Sequence, residues 1–184
     1  MLHRSPGAGT YARVEREQRW LLAQVPPDAA DPTDITDRYC TGTTLRLRHM
    51  RAGDKAVYKL GQKVRHDPGS PERVALTNIY LQRHEFELLD AALDGAVLHK
   101  TRRSWVVGGR VLAVDQFAGH LDGLVLAEIE LDEHEDPLPL PPFAVAGVTD
   151  DDRFSGGRLA HLSASEEEAL LAEVAVLTGR RQAR

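Results

Sequence analysis

A single cysteine, Cys40, occurs in the 184 residues, so no disulfide can form within the chain, and the sequence fits a reducing compartment, by default the cytoplasm. No run approaches the ~20 consecutive apolar residues of a membrane-spanning helix, and residues 1–10 lack the apolar core of a secretory signal, so no membrane partner is expected. Lysine is scarce, four residues against nineteen arginines, and three of the four (Lys59, Lys63 and Lys100) fall in strand-like segments. The eight histidines show no close metal-ligand spacing, which speaks against a zinc site. Internal repeats and long low-complexity tracts are lacking too.

What is present is a moderately hydrophobic chain, 42% apolar, large enough for one domain that buries roughly two-thirds of its unfolded surface. We expect that domain over residues 11–179, with flexible ends at 1–10 and 180–184. The net charge of −5 is unevenly spread: residues 1–110 hold 18 basic and 13 acidic side chains, residues 111–184 hold 5 and 15. A uniformly basic face for nucleic acid is therefore disfavoured, and no nucleic-acid partner is expected. Two copies could pair, although no exposed heptad or long apolar strand edge demands it.

Alternation of β-branched and aliphatic residues with polar ones predicts eight strands. They lie near Tyr11–Leu22, Ile35–Cys40, Thr43–Met50, Ala56–Val64, Arg73–Leu81, Ala96–Val107, Arg110–Ala118 and Gly123–Asp132. Turn signals at Gly53-Asp54, Asp67-Pro68-Gly69, Gly108-Gly109 and Asp122-Gly123 separate several of them. One helix is predicted near Gln82–Leu93, and another after Ser163, where Ser163 and Glu166 form a capping box ahead of Leu170, Leu171, Val174 and Leu177. The acidic stretch from Asp132 to Asp152, with Pro137, Pro139, Pro141 and Pro142, reads as a loop or lid, and Phe154 to Arg158 as a glycine turn.

In a strand, residues two apart share a face, and here charges recur at that spacing. The first strand carries Arg13, Glu15, Glu17 and Arg19; the third Arg46 and Arg48; the fourth Lys59 and Lys63; the sixth Lys100 and Arg102; the eighth Glu128 and Glu130. Opposite them lie apolar faces such as Val125, Ala127, Ile129 and Leu131. Any one such strand could belong to an ordinary sheet with one solvated face. Together they sort cations onto three strands and paired carboxylates onto two. Arginine and lysine neutralise phosphate oxygens, and carboxylates are the hard ligands that Mg²⁺ or Mn²⁺ prefers. Eight strands can also close into a barrel that hides these charges inside, with helices over its apolar exterior, where Trp20 and Trp105 would pack.

Glu15-Arg16-Glu17-Gln18-Arg19 resembles the Glu-x-Glu-x-Lys motif that opens the CYTH, or triphosphate tunnel metalloenzyme, superfamily, with arginine in the lysine position. Further similar stretches follow in the family's order: Thr44 to Arg48, Tyr58 to Gly61, Leu98 to Arg102, Val114 to Phe117, and Leu126 to Glu130. The resemblance spans roughly residues 11–162 and implies an α+β, mainly antiparallel fold: an eight-stranded closed β-barrel, or triphosphate tunnel, with flanking helices. It implies a metal-dependent hydrolase of a triphosphate, inorganic triphosphate above all, with Mg²⁺ or Mn²⁺ as cofactor. Glu15, Glu17, Glu128 and Glu130 would hold the metal with support from Asp115. Arg46, Arg48, Lys59, Lys63, Lys100 and Arg102 would hold phosphates, with a further contact from Arg158, and Glu15, Glu17 and Arg19 would act on the attacking water. The fifth segment, Arg73 to Asn78, lacks the paired glutamates that many members carry. A class IV-type adenylyl cyclase and a non-catalytic polyphosphate or nucleotide sensor are the alternatives, and a barrel for a small apolar ligand is disfavoured by the charged faces.

Overall fold

The structure, a computed structural model, describes residues 11–64 and 73–179; the two expected flexible ends and the turn at Asp67-Pro68-Gly69 lie outside the described residues. Its strands are β1 (Arg13–Leu21), β2 (Ala30–Cys40), β3 (Leu45–Ala52), β4 (Lys55–Val64), β5 (Arg73–Leu81), β6 (Gly95–Val107), β7 (Arg110–Phe117), β8 (Val125–Leu131) and the short β9 (Ala146–Gly147). The helices are α1 (Arg83–Ala92), α2 (Gly156–Ala160) and α3 (Ala164–Leu177). Antiparallel pairing runs β5-β4-β3-β2-β6-β7-β8-β1, and β1 returns to β5, so eight strands close a barrel. Gly108 and Gly109, both at positive φ, make the tight turn between β6 and β7 that two glycines between β-branched runs predict.

Register decides what the barrel encloses. Arg19 pairs with Glu128 and Glu17 with Glu130 across β1 and β8; Arg48 pairs with Lys59 across β3 and β4; Arg102 pairs with Asp115 across β6 and β7. Paired residues point to the same side, so these charges share the interior. Further along, the interior turns apolar. Leu21, Leu98, Phe117 and Leu126 pack with Phe154, Leu159, Leu170 and Val174, so α2, α3 and the loop before them plug one end. The α3 capping box forms as the sequence predicts, with the Ser163 N–H donating to Glu166 at 2.9 Å; of its expected apolar stripe Leu170 and Val174 are buried, while Leu177 is exposed.

The exterior departs from expectation. Its apolar face on β1, β6, β7 and β8 (Trp20, Trp105, Leu112, Val114, Ala127, Ile129) is covered by the proline-rich stretch and not by helices. Phe143 sets its ring edge-on to Trp105 at 4.7 Å and to Trp20 at 6.2 Å. Arg16 donates through Nη1 to the carbonyls of Asp132, Glu133 and Glu135, and Gln18 makes two hydrogen bonds to the Leu138 backbone. The stretch is thus a strap on the outside of β1, not a lid, and its end adds β9 beside Trp20 and Leu21. Prolines supply no N–H for a longer strand, so side chains of β1 anchor it instead. Two more corrections follow. β2 begins at Ala30, five residues before the predicted start, because a register shift between Ala30 and Thr33, with Asp31 at φ 55, carries the strand past Pro32. The glycine turn is instead the short helix α2, capped by Ser155. α1 lies outside the barrel with Phe86 against Tyr58 and His49, and none of its residues is fully buried. No helix among the described residues is long and apolar enough to cross a membrane.

Candidate active site

The enclosed charges line a cavity of about 400 Å³. Seven cations face it: Arg19 from β1, Arg46 and Arg48 from β3, Lys59 and Lys63 from β4, and Lys100 and Arg102 from β6. Three carboxylates join them, Glu15, Glu17 and Glu128, and the remaining wall is Tyr39, Thr43, Thr44, Leu45, Leu76, Asn78 and the start of α2 at Ser155, Gly156 and Gly157. A strand can hold such a set only because its opposite face meets an apolar partner; the alternation of β8 does both at once, with Leu126 and Glu128 inward and Ala127 and Ile129 outward.

Two carboxylates absent from the lining organise the cations. Asp115 on β7, 1% exposed, accepts from Lys100 Nζ at 2.5 Å and from Arg102 Nε and Nη2 at 2.6 Å each; Arg102 Nη2 also donates to Glu128 at 2.7 Å. Asp37 on β2, wholly buried, accepts from Arg48 Nε at 2.6 Å and Nη2 at 2.7 Å, and Arg46 Nε lies 3.7 Å away. Burial alone would raise both acids, but the adjacent Lys100 and Arg102 hold Asp115 well below the ordinary carboxylate range, and Arg48 with Arg46 lowers Asp37. Burial pushes Lys100 down, against the pull of Asp115. Glu17, opposed by burial but bonded to Lys63 at 3.0 Å and flanked by Arg19 and Arg102, is held down at about 2. Glu15 moves the other way: burial, and repulsion from Glu17 and Glu130, raise it.

Two donors in this wall go unused. Arg19, 3% exposed, gives Nη1 to the carbonyl of Phe154 at 3.0 Å; its buried Nε makes no hydrogen bond and lies 3.7 Å from Glu128, as the buried Nε of Arg46 makes none and lies 3.7 Å from Asp37. Such groups cost free energy unless something accepts from them. An anion with several oxygens is the natural acceptor among seven cations.

No protein-family model matches the chain. An inorganic triphosphatase of Nitrosomonas europaea is 30% identical over 153 residues, covering 80% of this chain and 97% of that relative. This chain belongs to the CYTH, or triphosphate tunnel metalloenzyme, family. The crystal structure of an inorganic triphosphatase matches at 27% identity with a TM-score of 0.54, covering 81% of this chain and 95% of that one. A second crystal structure of that same protein gives the same TM-score at 28% identity, over 79% of this chain and 97% of that one.

Against the CYTH expectation, the residues separate into three groups. Glu15, Glu17, Arg19, Arg46, Arg48, Lys59, Lys63, Lys100, Arg102 and Glu128 are brought together in the cavity. Glu130 and Asp115 are displaced from it: Glu130 sits half-exposed in a neighbouring recess shared with Glu15, Glu17 and Glu128 and pairs with Arg13, while both oxygens of Asp115 are taken by lining cations. Arg158, on α2, is absent from the cavity lining; it is half-exposed and paired with Glu166 of α3. In the fifth strand, the positions facing the interior hold Leu76 and Asn78, so the missing glutamates leave a neutral wall. Asp37 escaped sequence reasoning. Its signal was an aspartate two residues from both Ile35 and Tyr39, a charge on a strand face that otherwise reads apolar.

Proposed function

We propose that this CYTH protein hydrolyses inorganic triphosphate with the help of a divalent metal ion, in the cytoplasm, where Cys40 stays reduced. The observation that carries the proposal is the cavity wall of seven cations drawn from four strands, a set of donors suited to a short chain of phosphates. The inorganic triphosphatase that covers the same length supports it.

The residues fit a metal in chemistry. Glu15, Glu17, Glu128 and Glu130 are hard oxygen donors, and the burial and the repulsion from Glu17 that raise Glu15 are what a divalent cation would offset. Among the described residues no three such groups converge as the side chains stand, since Lys63, Arg102 and Arg13 occupy Glu17, Glu128 and Glu130; metal would replace those contacts. When bound, Mg²⁺ or Mn²⁺ supplies charge neutralisation at phosphate oxygens. The chain does the rest by position. Arg46, Arg48, Lys59, Lys100 and Arg102 spread phosphate charge, as phosphoryl transfer generally requires. Glu15 or Glu17 would take the proton of the attacking water.

Purified protein should release orthophosphate from inorganic triphosphate with Mg²⁺ or Mn²⁺, lose that turnover in chelator, and lose it in Glu128→Gln. Cyclic AMP and pyrophosphate from ATP would instead make it a cyclase. Triphosphate binding without any turnover would make it a sensor.

A further inference from the structure

We propose that Asp37 is a positioning residue for triphosphate binding: it acts on the substrate through Arg48 without touching it. This rests on the triphosphate reading of the cavity and adds to it the group that aims its phosphate clamp.

Asp37 lies behind the cavity wall and is wholly buried, so water cannot satisfy it. Both its oxygens are spent on one guanidinium, the Arg48 Nε at 2.6 Å and Nη2 at 2.7 Å, in the planar fork that fixes an arginine in direction as well as in place. The β2–β3 register sets this contact, since Asp37 stands directly opposite Arg48. With that edge of the guanidinium held, the N–H groups of its other edge are the ones left for a ligand in the cavity that Arg48 lines. Arg46 is tied differently. Its Nε is 3.7 Å from Asp37, beyond a hydrogen bond, and has no partner. Asp37 therefore fixes one arginine by hydrogen bonds and holds the Nε of its neighbour by charge alone.

Two effects of removing the charge oppose each other. Losing a buried anion makes the cavity more positive, which favours a polyanion. Losing the fork frees a long side chain that must then be reordered on every binding event. Asp115 and the lining carboxylates remain, so the change in potential is one charge among several, whereas Arg48 loses the two-oxygen fork, because an amide can accept from it through one oxygen only. Positioning is the larger effect.

The test is Asp37→Asn, with KM and kcat for inorganic triphosphate and, separately, binding of inorganic triphosphate in chelator by titration calorimetry. KM should rise about tenfold or more with kcat within about threefold, the calorimetric Kd should weaken by a similar factor, and in an Arg48→Ala background the same substitution should add less than twofold. If the asparagine variant does not fold, Asp37→Glu keeps the charge, shifts the guanidinium by one methylene and carries the same expectation. Unchanged KM and Kd with a lowered Tm would reduce Asp37 to a structural role and overturn the proposal. So would tighter binding, which would mean that charge outweighs position, or effects of Asp37→Asn and Arg48→Ala that add in full. A wild-type protein that binds but does not turn over triphosphate would refute the hydrolase while leaving the Kd comparison to decide on Asp37.

Discussion

Replacing Asp115 with asparagine should destabilise the protein by about 4 kcal/mol, the middle of the 3–5 kcal/mol range for stranding one partner of a buried pair. Asp115 is 1% exposed and accepts three hydrogen bonds from two cations, Lys100 and Arg102. Summing three charge-assisted hydrogen bonds at about 1.5–3 kcal/mol each would give more. Two features cap the loss. Arg102 retains Glu128 at 2.7 Å, and Lys100, already pushed down by burial, can shed its proton once Asp115 no longer opposes that shift. At ~2–4 °C per kcal/mol for a chain of this size, Tm should fall by roughly 10 °C. Urea unfolding followed by circular dichroism measures the change directly, as a lower midpoint at an unchanged slope. A loss under about 1 kcal/mol would refute the view of Asp115 as the anchor of two lining cations.

Two further outcomes follow from the same geometry. Glu17 has a folded pKa of about 2 against an ordinary 4.5, so its contribution, roughly 3 kcal/mol, is present above 4.5 and lost as pH falls towards 2. Asp37 and Asp115, also lowered, add to that acid-side loss, so the urea midpoint should drop steeply below pH 4.5, and Glu17→Gln should flatten the drop; an identical pH profile in the variant would contradict the Lys63 contact. Arg158→Ala should leave kcat/KM within about twofold and cost no more than about 1 kcal/mol, as expected of an exposed ion pair; a tenfold fall in kcat/KM would return Arg158 to the phosphate site.

The alternation of residues along each strand was enough to establish that β1, β3, β4, β6 and β8 stack charge on one side, with an apolar opposite face on β3 and β8, because side-chain direction in a strand follows from backbone geometry alone. The same period identified Glu15, Glu17, Arg46, Arg48, Lys100, Arg102 and Glu128 as one set, and the capping box announced α3. Which charges meet is a different matter, since it depends on register between strands far apart in sequence. Pairing of β2 with β3 made Asp37 the holder of Arg48, and pairing of β6 with β7 turned Asp115 from an expected metal ligand into an anchor for Lys100 and Arg102. Local pattern could not tell that the proline-rich stretch would lie on Trp20 and Trp105, for its anchors on Arg16 and Gln18 are more than a hundred positions away. Sequence determined the two faces of the wall; the closure of the barrel decided which of its charges face a ligand and which hold one another in place.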